Sequence, residues 1–365
     1  MTSLEPGHDT TPLTLTTPLA IASCTKLLTT ICCLQLVEQG KLSLSQDTTK
    51  LLPDLGALPI LTGFDANDKP ILKPRTKPIT LQHLLSHSSG LCYDGSHPLL
   101  LKYCAQTGKP TAARSQGEKE RLSTVVGRFS SPLLFEPGTS WVYGSSLDWA
   151  GKLVQVVSGL DLESYMRRYI FEPLGITAQD ASFWLNKQGA GGMAITMRDA
   201  ESGKVRHTSM QDPFPGVKEA MGGQGLKANM PGYFKVLQSL LRDDEVLLKR
   251  ETTKMMWKPC LSEGSRKTLN ELRKTMPVVF DCFVGRFPAE VELDWGLGGM
   301  LSMQDDDGVN GNGRIGRRKG TMMWSGLPNL FWVSLKSYPF KRQTQMLSAS
   351  PAMHPHSIKL IHCSF

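Results

Sequence analysis

The sequence lacks a long uninterrupted hydrophobic run. Of its 365 residues, 40% are hydrophobic and 20% are charged, a balance that is ordinary for a folded globular enzyme. The longest apolar stretch, around 27–37, is interrupted by Thr and Gln and is too short to cross a bilayer. The first residues, 1–19, have neither the basic start nor the apolar centre of a signal peptide. We therefore expect a soluble, cytoplasmic protein without a membrane partner.

Paired cysteine motifs are also missing. The eight cysteines contain no C-x-x-C pair and no spacing that a structural zinc ion would need. Cys24, Cys32 and Cys33 fall in an apolar helical stretch, where a free thiol behaves as a small hydrophobic side chain. This pattern is typical of a reducing compartment and predicts neither a metal nor a cofactor.

Acidic residues are fewer than basic ones, 33 against 41, which leaves a formal charge of +8. Most of the Lys and Arg residues are scattered, and the one dense basic run comprises Arg314, Arg317, Arg318 and Lys319. We interpret the excess as a solvated surface, with weak support for an acidic partner such as an acyl carrier protein and little for nucleic acid.

Hydrophobic periodicity predicts a mainly helical middle and a C-terminal third that is mainly strand. Helices are expected at about 23–39, 81–87, 146–159, 165–174 and 231–241, and strands at 141–143, 295–301, 321–324 and 329–335. Thr80 precedes the second of these helices and is expected to cap it. Residues 105–132 are polar and suggest a surface excursion. We expect a single domain over 1–365, with a sheet-containing part (20–55 and 215–337), a mainly helical part (56–214) and an irregular tail (338–365).

The first candidate for chemistry is Ser23 with Lys26, at the start of the first predicted helix. Residues three apart on a helix are neighbours, so the Lys26 amine can reach the Ser23 hydroxyl. Serine is a weak nucleophile until a base takes its proton, and a lysine in a dry, electropositive pocket can do so near neutral pH. Of all the serines, only Ser23 has Lys at the third following position.

The second candidate is Tyr143-Gly144-Ser145, at the predicted junction of a strand and a helix. Such a junction exposes side chains at a cleft. A tyrosine near cations can act as a general base or relay a proton to the leaving group. Read alone, Tyr143 is better explained as a half-buried structural residue at a strand end.

The third candidate is Trp324-Ser325-Gly326-Leu327, between two apolar strands. An edge strand beside the nucleophile can supply one backbone N–H of an oxyanion hole, and the nucleophile's own N–H a second. Gly326 would let the substrate approach the strand closely. Read alone, this segment is an ordinary strand followed by a turn.

In this order the three elements resemble the serine β-lactamase superfamily. The chain is most like its class C-like branch, which includes family VIII esterases and fungal statin-type acyltransferases, and in particular the lovastatin side-chain acyltransferase type. The resemblance extends through roughly 20–335 and includes ASCTKLLTT (22–30), LLSHSSGL (84–91), YGSSLDWAGKL (143–153), GGQG (222–225) and RRKGT (317–321). It implies a β-lactamase/transpeptidase-like fold of the α/β (α+β) class, in which an antiparallel sheet is flanked by helices and a second region is mainly helical.

The resemblance also implies roles for individual residues. Ser23 would be the acylated nucleophile, Lys26 its activating partner and Tyr143 the general base for the incoming acceptor. The N–H groups of Ser23 and Leu327 would form the oxyanion hole. The residues implied to bind substrate are Ser145, Trp324, Ser325 and Gly326. Trp324 stands where classical members carry Lys or His, which favours an esterase or acyltransferase over recognition of a β-lactam carboxylate.

Both ends depart from the family pattern. A helix and two strands usually precede the S-x-x-K helix, and only 22 residues do so here. Residues 338–365 have no helical period where the family has a strand and a long helix. We therefore expect a chain shortened at both ends, with an incomplete sheet and unpaired strand edges.

Three functions stay open at this point. One is an acyltransferase that moves an acyl group from a thioester donor, possibly on a carrier protein, to a hydroxyl of a small secondary metabolite. Another is a carboxylic ester hydrolase, and the third an inactive homologue. A Ser-His-Asp hydrolase is disfavoured because G-x-S-x-G does not occur. His83 and His87 are interpreted as structural hydrogen-bonding residues.

Overall fold

The computed structural model describes residues 14–109, 121–185, 196–198, 202, 205–207, 217–306, 316–327, 330–335 and 361–362. The α-helices are α1 (Thr25–Glu38), α2 (Pro53–Gly56), α3 (Leu81–Leu85), α4 (Pro98–Thr107), α5 (Val125–Phe129), α6 (Ser146–Ser158), α7 (Leu162–Met166), α8 (Met230–Arg242), α9 (Arg250–Met256), α10 (Glu263–Thr275) and α11 (Pro277–Val284). None of these helices is long and apolar enough to cross a membrane.

The strands form antiparallel sheets. They are β1 (Leu19–Ala20), β2 (Ile60–Phe64), β3 (Pro70–Lys73), β4 (Ala181–Ser182), β5 (Thr196–Arg198), β6 (Val205–His207), β7 (Lys227–Ala228), β8 (Leu293–Trp295), β9 (Met300–Ser302), β10 (Thr321–Gly326), β11 (Leu330–Leu335) and β12 (Ile361–His362). The largest sheet has the order β12-β11-β10-β9-β8, and a smaller one has the order β1-β7-β4. Strands β10 and β11 pair from Thr321 opposite Leu335 to Gly326 opposite Leu330.

Helix α1 is the centre of the core, since every residue from Thr25 to Leu36 is buried. A helix that is buried on all sides needs apolar or hydrogen-bonded side chains all round, and α1 carries both. It packs against α6. Gly40 follows α1 with φ of 69°, the left-handed conformation that glycine adopts without strain, so the predicted end of this helix is confirmed.

The other predicted helices are confirmed with small changes. Thr80 caps α3 by accepting the His83 N–H, as its sequence position predicted. Helix α6 ends at Gly159, with φ of 72°. The helix expected at 165–174 is a composite of α7, a π-helical turn (Arg167–Phe171) and a 3₁₀ turn (Glu172–Leu174).

Three sequence-based expectations are wrong. Residues 141–143 form no strand: Val142 donates its N–H to the His87 carbonyl, so a loop takes the place of a ladder partner. The strand expected at 295–301 is two strands, β8 and β9, joined by a glycine-rich turn. Helices α9 to α11 lie in the C-terminal third, which was expected to be mainly strand. Helix α10 packs against β8 and α11 against β10, and this packing outweighs the local sequence pattern.

The polar segment 105–132 is only partly a surface excursion. Helix α5 buries Val125 and Phe129, and Leu122 just before it is also buried. Residues 110–120 lie outside the described residues, as do 1–13 and most of 338–365. Strand β12 pairs with β11, so the β11 edge carries a short partner. The division into sheet-containing and helical parts stays a prediction.

Candidate active site

Ser23 lies in a 3₁₀ turn (Ala22–Cys24) that leads into α1. Ala22 has φ of 43°, a left-handed conformation that costs a non-glycine residue about 1 kcal/mol. Two hydrogen bonds hold the turn: the Thr25 hydroxyl donates to the Ala22 carbonyl at 2.6 Å, and the Tyr233 hydroxyl donates to the Cys24 carbonyl at 3.0 Å. The surrounding fold thus fixes the backbone that carries the serine.

Lys26 is almost fully buried, with 2% of its surface exposed. Its Nζ donates to Ser23 Oγ at 3.2 Å, so the contact that the helical spacing predicted is present. It also donates to the Tyr93 hydroxyl at 3.2 Å and to the Gly223 carbonyl at 2.7 Å. The amine is therefore held in one position directly beside the serine.

Tyr143 reaches Ser23 from another side. Its hydroxyl lies 2.7 Å from Ser23 Oγ, and the centre of its ring lies 4.7 Å from Lys26 Nζ. The loop that carries it packs on α3 and the residues after it: the Tyr143 and His87 rings lie 4.6 Å apart, and a methyl group on Gly144 would collide with the backbone of Leu91 and Cys92. The structure thus brings Tyr143, 120 residues further along the chain, to the Ser23–Lys26 pair.

Trp324 supports the tyrosine. Its indole Nε1 donates to the Tyr143 hydroxyl at 3.3 Å, and the two ring centres lie 4.9 Å apart. Phe283 of α11 packs on both rings, at 5.6 Å from Tyr143 and 5.3 Å from Trp324. The Trp324 indole, a neutral group, thus donates a hydrogen bond to the Tyr143 oxygen.

The four residues implied to bind substrate have little exposed surface. Trp324 is 1% exposed, Ser325 is 5% exposed, and Ser145 is fully buried. Ser145 Oγ has no hydrogen-bond partner within the described part of the chain. Gly326 is buried at the end of β10. Their role in binding substrate stays a prediction.

Gly326 has a structural role that differs from the one expected. A methyl group at this position would collide with the Ile21 carbonyl oxygen and lie 3.2 Å from Cys24 Sγ. The close approach that glycine permits in the structure is therefore between β10 and the nucleophile turn, and the expectation that Gly326 also admits substrate stays a prediction. Leu327 follows directly and is 61% exposed. The oxyanion-hole role of the Ser23 and Leu327 N–H groups stays a prediction.

Two residues of the site were missed by sequence reasoning. Asp148, in the first turn of α6, is fully buried; its Oδ1 accepts the Gly223 N–H at 2.9 Å, and its Oδ2 accepts the Tyr93 hydroxyl at 3.3 Å. The sequence did carry a signal for Asp148, because it lies between Leu147 and Trp149 in a helix with an apolar face, and a buried acid needs hydrogen-bonding partners. Tyr93 carried no comparable signal.

The charge around Lys26 also differs from expectation. Sequence reasoning placed the lysine in an electropositive pocket, and the structure puts the Asp148 carboxylate one tyrosine away. Burial raises the pKa of Asp148 to about 6, while Lys26 and the Gly223 N–H act in the opposite direction. Burial raises the pKa of the Tyr93 hydroxyl well above its usual value, so this phenol stays neutral. The lysine thus faces an anion through a neutral hydroxyl.

The two histidines make structural contacts. His87 is fully buried, its Nδ1 accepts the Gly144 N–H at 3.4 Å, and burial lowers its pKa well below the usual value. His83 accepts the Thr80 N–H at 3.2 Å and closes the cap of α3. Within the described ranges, no group of His, Cys, Asp and Glu has an arrangement suited to a metal ion.

This geometry suits acyl transfer through a covalent intermediate. One hydroxyl has an amine and a phenol within hydrogen-bonding distance, and both can accept or return protons as bonds to the hydroxyl form and break. The site holds its reactive groups by contacts on α1, α6, β10 and the 87–93 segment, and these contacts fix the groups before any substrate arrives.

Comparison with known proteins finds a matching family model and several similar chains. The model of the β-lactamase family matches residues 4–327. Monacolin J acid methylbutanoyltransferase from Aspergillus terreus is 39% identical over 324 residues, covering 88% of this chain and 74% of its own. Lovastatin esterase from Penicillium rubens is 36% identical over 320 residues, covering 86% and 75%. The solved structure of unliganded simvastatin synthase from A. terreus has a TM-score of 0.76 at 36% identity, covering 91% and 79%.

Proposed function

The chain belongs to the β-lactamase family, and from that premise we propose that it is a serine acyltransferase that moves an acyl group from a thioester to a hydroxyl of a secondary metabolite. Its antiparallel sheet and surrounding helices have the β-lactamase/transpeptidase-like fold, as the sequence predicted. The observation that carries the proposal is that Ser23 Oγ lies 2.7 Å from the Tyr143 hydroxyl and 3.2 Å from Lys26 Nζ.

The first half of the proposed reaction acylates the enzyme. Ser23 Oγ attacks the thioester carbonyl carbon while its proton passes to the Lys26–Tyr143 pair. The tetrahedral intermediate then expels the thiolate, which takes the proton and leaves as a thiol. The N–H groups of Ser23 and Leu327 would stabilise the negative oxygen, a contribution of about 100- to 1000-fold in rate per donor.

The second half returns the serine. Tyr143 takes the proton of the acceptor hydroxyl, whose oxygen attacks the acyl carbon of the Ser23 ester. Ser23 leaves as an alkoxide and recovers the proton, so the net change is the exchange of a thioester for an ester. The donor is proposed to be a small acyl thioester or an acyl group on a carrier protein, and the acceptor a small molecule.

Ester hydrolysis is the second candidate, and the similarity to a lovastatin esterase favours it specifically. The two functions share the acyl-Ser23 intermediate and differ in what attacks it. Water gives a free acid, whereas an acceptor alcohol gives a new ester. Exclusion of water from the acyl-enzyme decides the outcome. The identity of 39% to a methylbutanoyltransferase, together with four further acyltransferases among the relatives, makes transfer the main proposal.

The experiment is intact-mass measurement of the protein after incubation with a panel of acyl thioesters. We expect an added acyl mass that peptide mapping localises to Ser23 and that Ser23→Ala abolishes. Ser158→Ala, at the end of α6, is the control and should acylate normally.

Adding an alcohol acceptor then separates the two candidates. Formation of the new ester supports transfer, and free acid alone supports hydrolysis and rejects transfer. No acyl adduct with any thioester, together with no fluorophosphonate labelling of Ser23, would contradict both and favour an inactive homologue.

A further inference from the structure

A buried chain of polar groups contacts Lys26. The Asp148 carboxylate accepts the Gly223 N–H at 2.9 Å and the Tyr93 hydroxyl at 3.3 Å. The Gly223 carbonyl accepts from Lys26 Nζ at 2.7 Å, and the Tyr93 oxygen lies 3.2 Å from the same nitrogen. One carboxylate therefore fixes two of the three partners of the lysine.

The direction of these hydrogen bonds follows from the chemistry of the groups. A carbonyl oxygen can only accept, so Lys26 donates to Gly223. An ionised carboxylate can only accept, so Tyr93 donates its single proton to Asp148 and must accept from Lys26. The remaining position on the nitrogen, which is a third N–H in the ammonium form and a lone pair in the neutral amine, then points to Ser23 Oγ. The nitrogen thus has three hydrogen-bonding positions and three partners, and the serine is one of them.

We propose that Asp148 is the positioning residue of this site: acting through Tyr93 and through the Gly223 peptide, it orients the Lys26 amine toward Ser23 and supplies the negative charge that balances it. This inference rests on the proposed acyl-serine chemistry and adds to it the residue on which the reactive geometry depends. Tyr93 is the intermediate link. Neither residue is placed to touch the reacting acyl carbon.

The packing around Asp148 explains why one carboxylate has this influence. A methyl group on Gly223 would collide with Asp148, so glycine is required for the backbone to approach the carboxylate. The cations that face Asp148 are Lys26 from α1 and Arg128 from α5. The titratable groups that interact with Tyr93 and Lys26 in this network are a second phenol, a thiol and an imidazole, namely Tyr143, Cys92 and His87. Because the Asp148 carboxylate is buried in a low-dielectric interior, its charge interacts strongly with the groups around it.

The pH dependence follows from burial. Because burial raises the pKa of Asp148 to about 6, the carboxylate is ionised at neutral pH and gains a proton as the pH falls through about 6. Protonation removes the countercharge and the anionic acceptor of Tyr93. His87 is held neutral over this range, because burial lowers its pKa. The rate of Ser23 modification should therefore fall on the acid side of about pH 6.

The experiment measures the rate at which a fluorophosphonate labels Ser23, between about pH 5 and about pH 9. In this reaction Ser23 Oγ bonds to phosphorus, fluoride leaves and the serine proton is lost to the site. Asp148→Asn keeps the size of the side chain and removes the charge, and Tyr93→Phe removes only the hydroxyl. The matched controls are Asp294→Asn, a buried carboxylate in β8, and Tyr165→Phe, a buried tyrosine of α7.

We expect Asp148→Asn to label about 100-fold more slowly at neutral pH, because a displaced amine lowers the rate on that scale, and to lose the acid limb near pH 6. Tyr93→Phe should be about tenfold slower, as the loss of one hydrogen bond to a charged group predicts. Both controls should keep the wild-type rate and acid limb. Thermal unfolding shows which fraction of each variant is folded.

Three results would overturn the proposal. The first is a labelling rate in Asp148→Asn equal to that of the wild type. The second is a slower rate in this variant that its unfolded fraction fully accounts for. The third is a rate in this variant that still falls on the acid side of about pH 6. If Asp148→Asn does not fold, Tyr93→Phe provides the test. A labelling rate in Tyr93→Phe equal to that of the wild type would refute the proposal that Asp148 acts on Lys26 through Tyr93. A wild-type protein that never labels at Ser23 rejects the proposed function and the inference with it, whereas normal wild-type labelling with an unaffected Asp148→Asn rejects the inference alone.

Discussion

The two sides of Ser23 are built differently. On the Lys26 side, directional hydrogen bonds among buried polar groups fix the amine, through Gly223 and Tyr93. On the Tyr143 side, ring packing fixes the phenol, with His87, Trp324 and Phe283 within 6 Å of its centre. The rate of Ser23 acylation should therefore depend on charge and pH through the Lys26 side, and on the shape of the aromatic side chains through the Tyr143 side. One hydroxyl group thus depends on two kinds of support.

The largest expected effect is from Lys26→Met on the polar side. Loss of the amine should lower the rate of Ser23 acylation about 1000-fold or more, since it removes a proton-transfer group. It also leaves the Asp148 carboxylate buried without its nearest cation, which should cost about 3–5 kcal/mol of unfolding free energy. Acylation kinetics and urea unfolding measure the two effects. A variant that is slow and yet fully stable would contradict this description of the polar side.

Tyr143→Phe should separate chemistry from stability on the aromatic side. The ring contacts with His87 and Trp324 persist, so we expect a change below about 1 kcal/mol in unfolding free energy. The rate should fall about 100- to 1000-fold, because only the proton-transfer group is lost. The same two measurements apply. A large loss of stability would show that the hydroxyl, and not the packing, holds this side.

The Ser23–Lys26 pair could be predicted from the sequence because it depends on helical spacing within one turn, and Thr80 could be predicted as a cap for the same local reason. The meeting of Tyr143 with Ser23 came from the family resemblance alone. Asp148 and Tyr93 were missed because their contacts join α1, α6 and two loops, which no local pattern records. The segment 141–143 was assigned to a strand because it is apolar, yet its backbone pairs with a loop.

Gly326→Ala tests the support that both sides share, the contact of β10 with the nucleophile turn. The added methyl group would collide with the Ile21 carbonyl, so the turn must shift away from the strand. We expect a loss of about 100-fold in acylation rate, as for a displacement of about 1 Å. Thr321→Ser, at the other end of β10, is the control. Equal rates for the two variants would show that this contact does not fix Ser23.

The smallest expected effect is in the pH dependence of stability. Burial lowers the pKa of His87, so the unfolded state binds more protons below about pH 6.5 and the fold loses stability as the pH falls. Asp148 acts oppositely, because its raised pKa makes the folded state bind more protons between about pH 4 and about pH 6. Asp148→Asn should therefore steepen the acid loss by about 1 kcal/mol, measured by urea unfolding. An unchanged slope would contradict this assignment.

The most direct test of the account is a double-mutant cycle on acylation, with Lys26→Met, Tyr143→Phe and both together. If the amine and the phenol serve one serine as a unit, the double variant should be no slower than the slower single variant, because either loss already disables the unit. Fluorophosphonate labelling of Ser23 gives the four rates. Losses that multiply independently would contradict the account, since the two sides would then not act on Ser23 together.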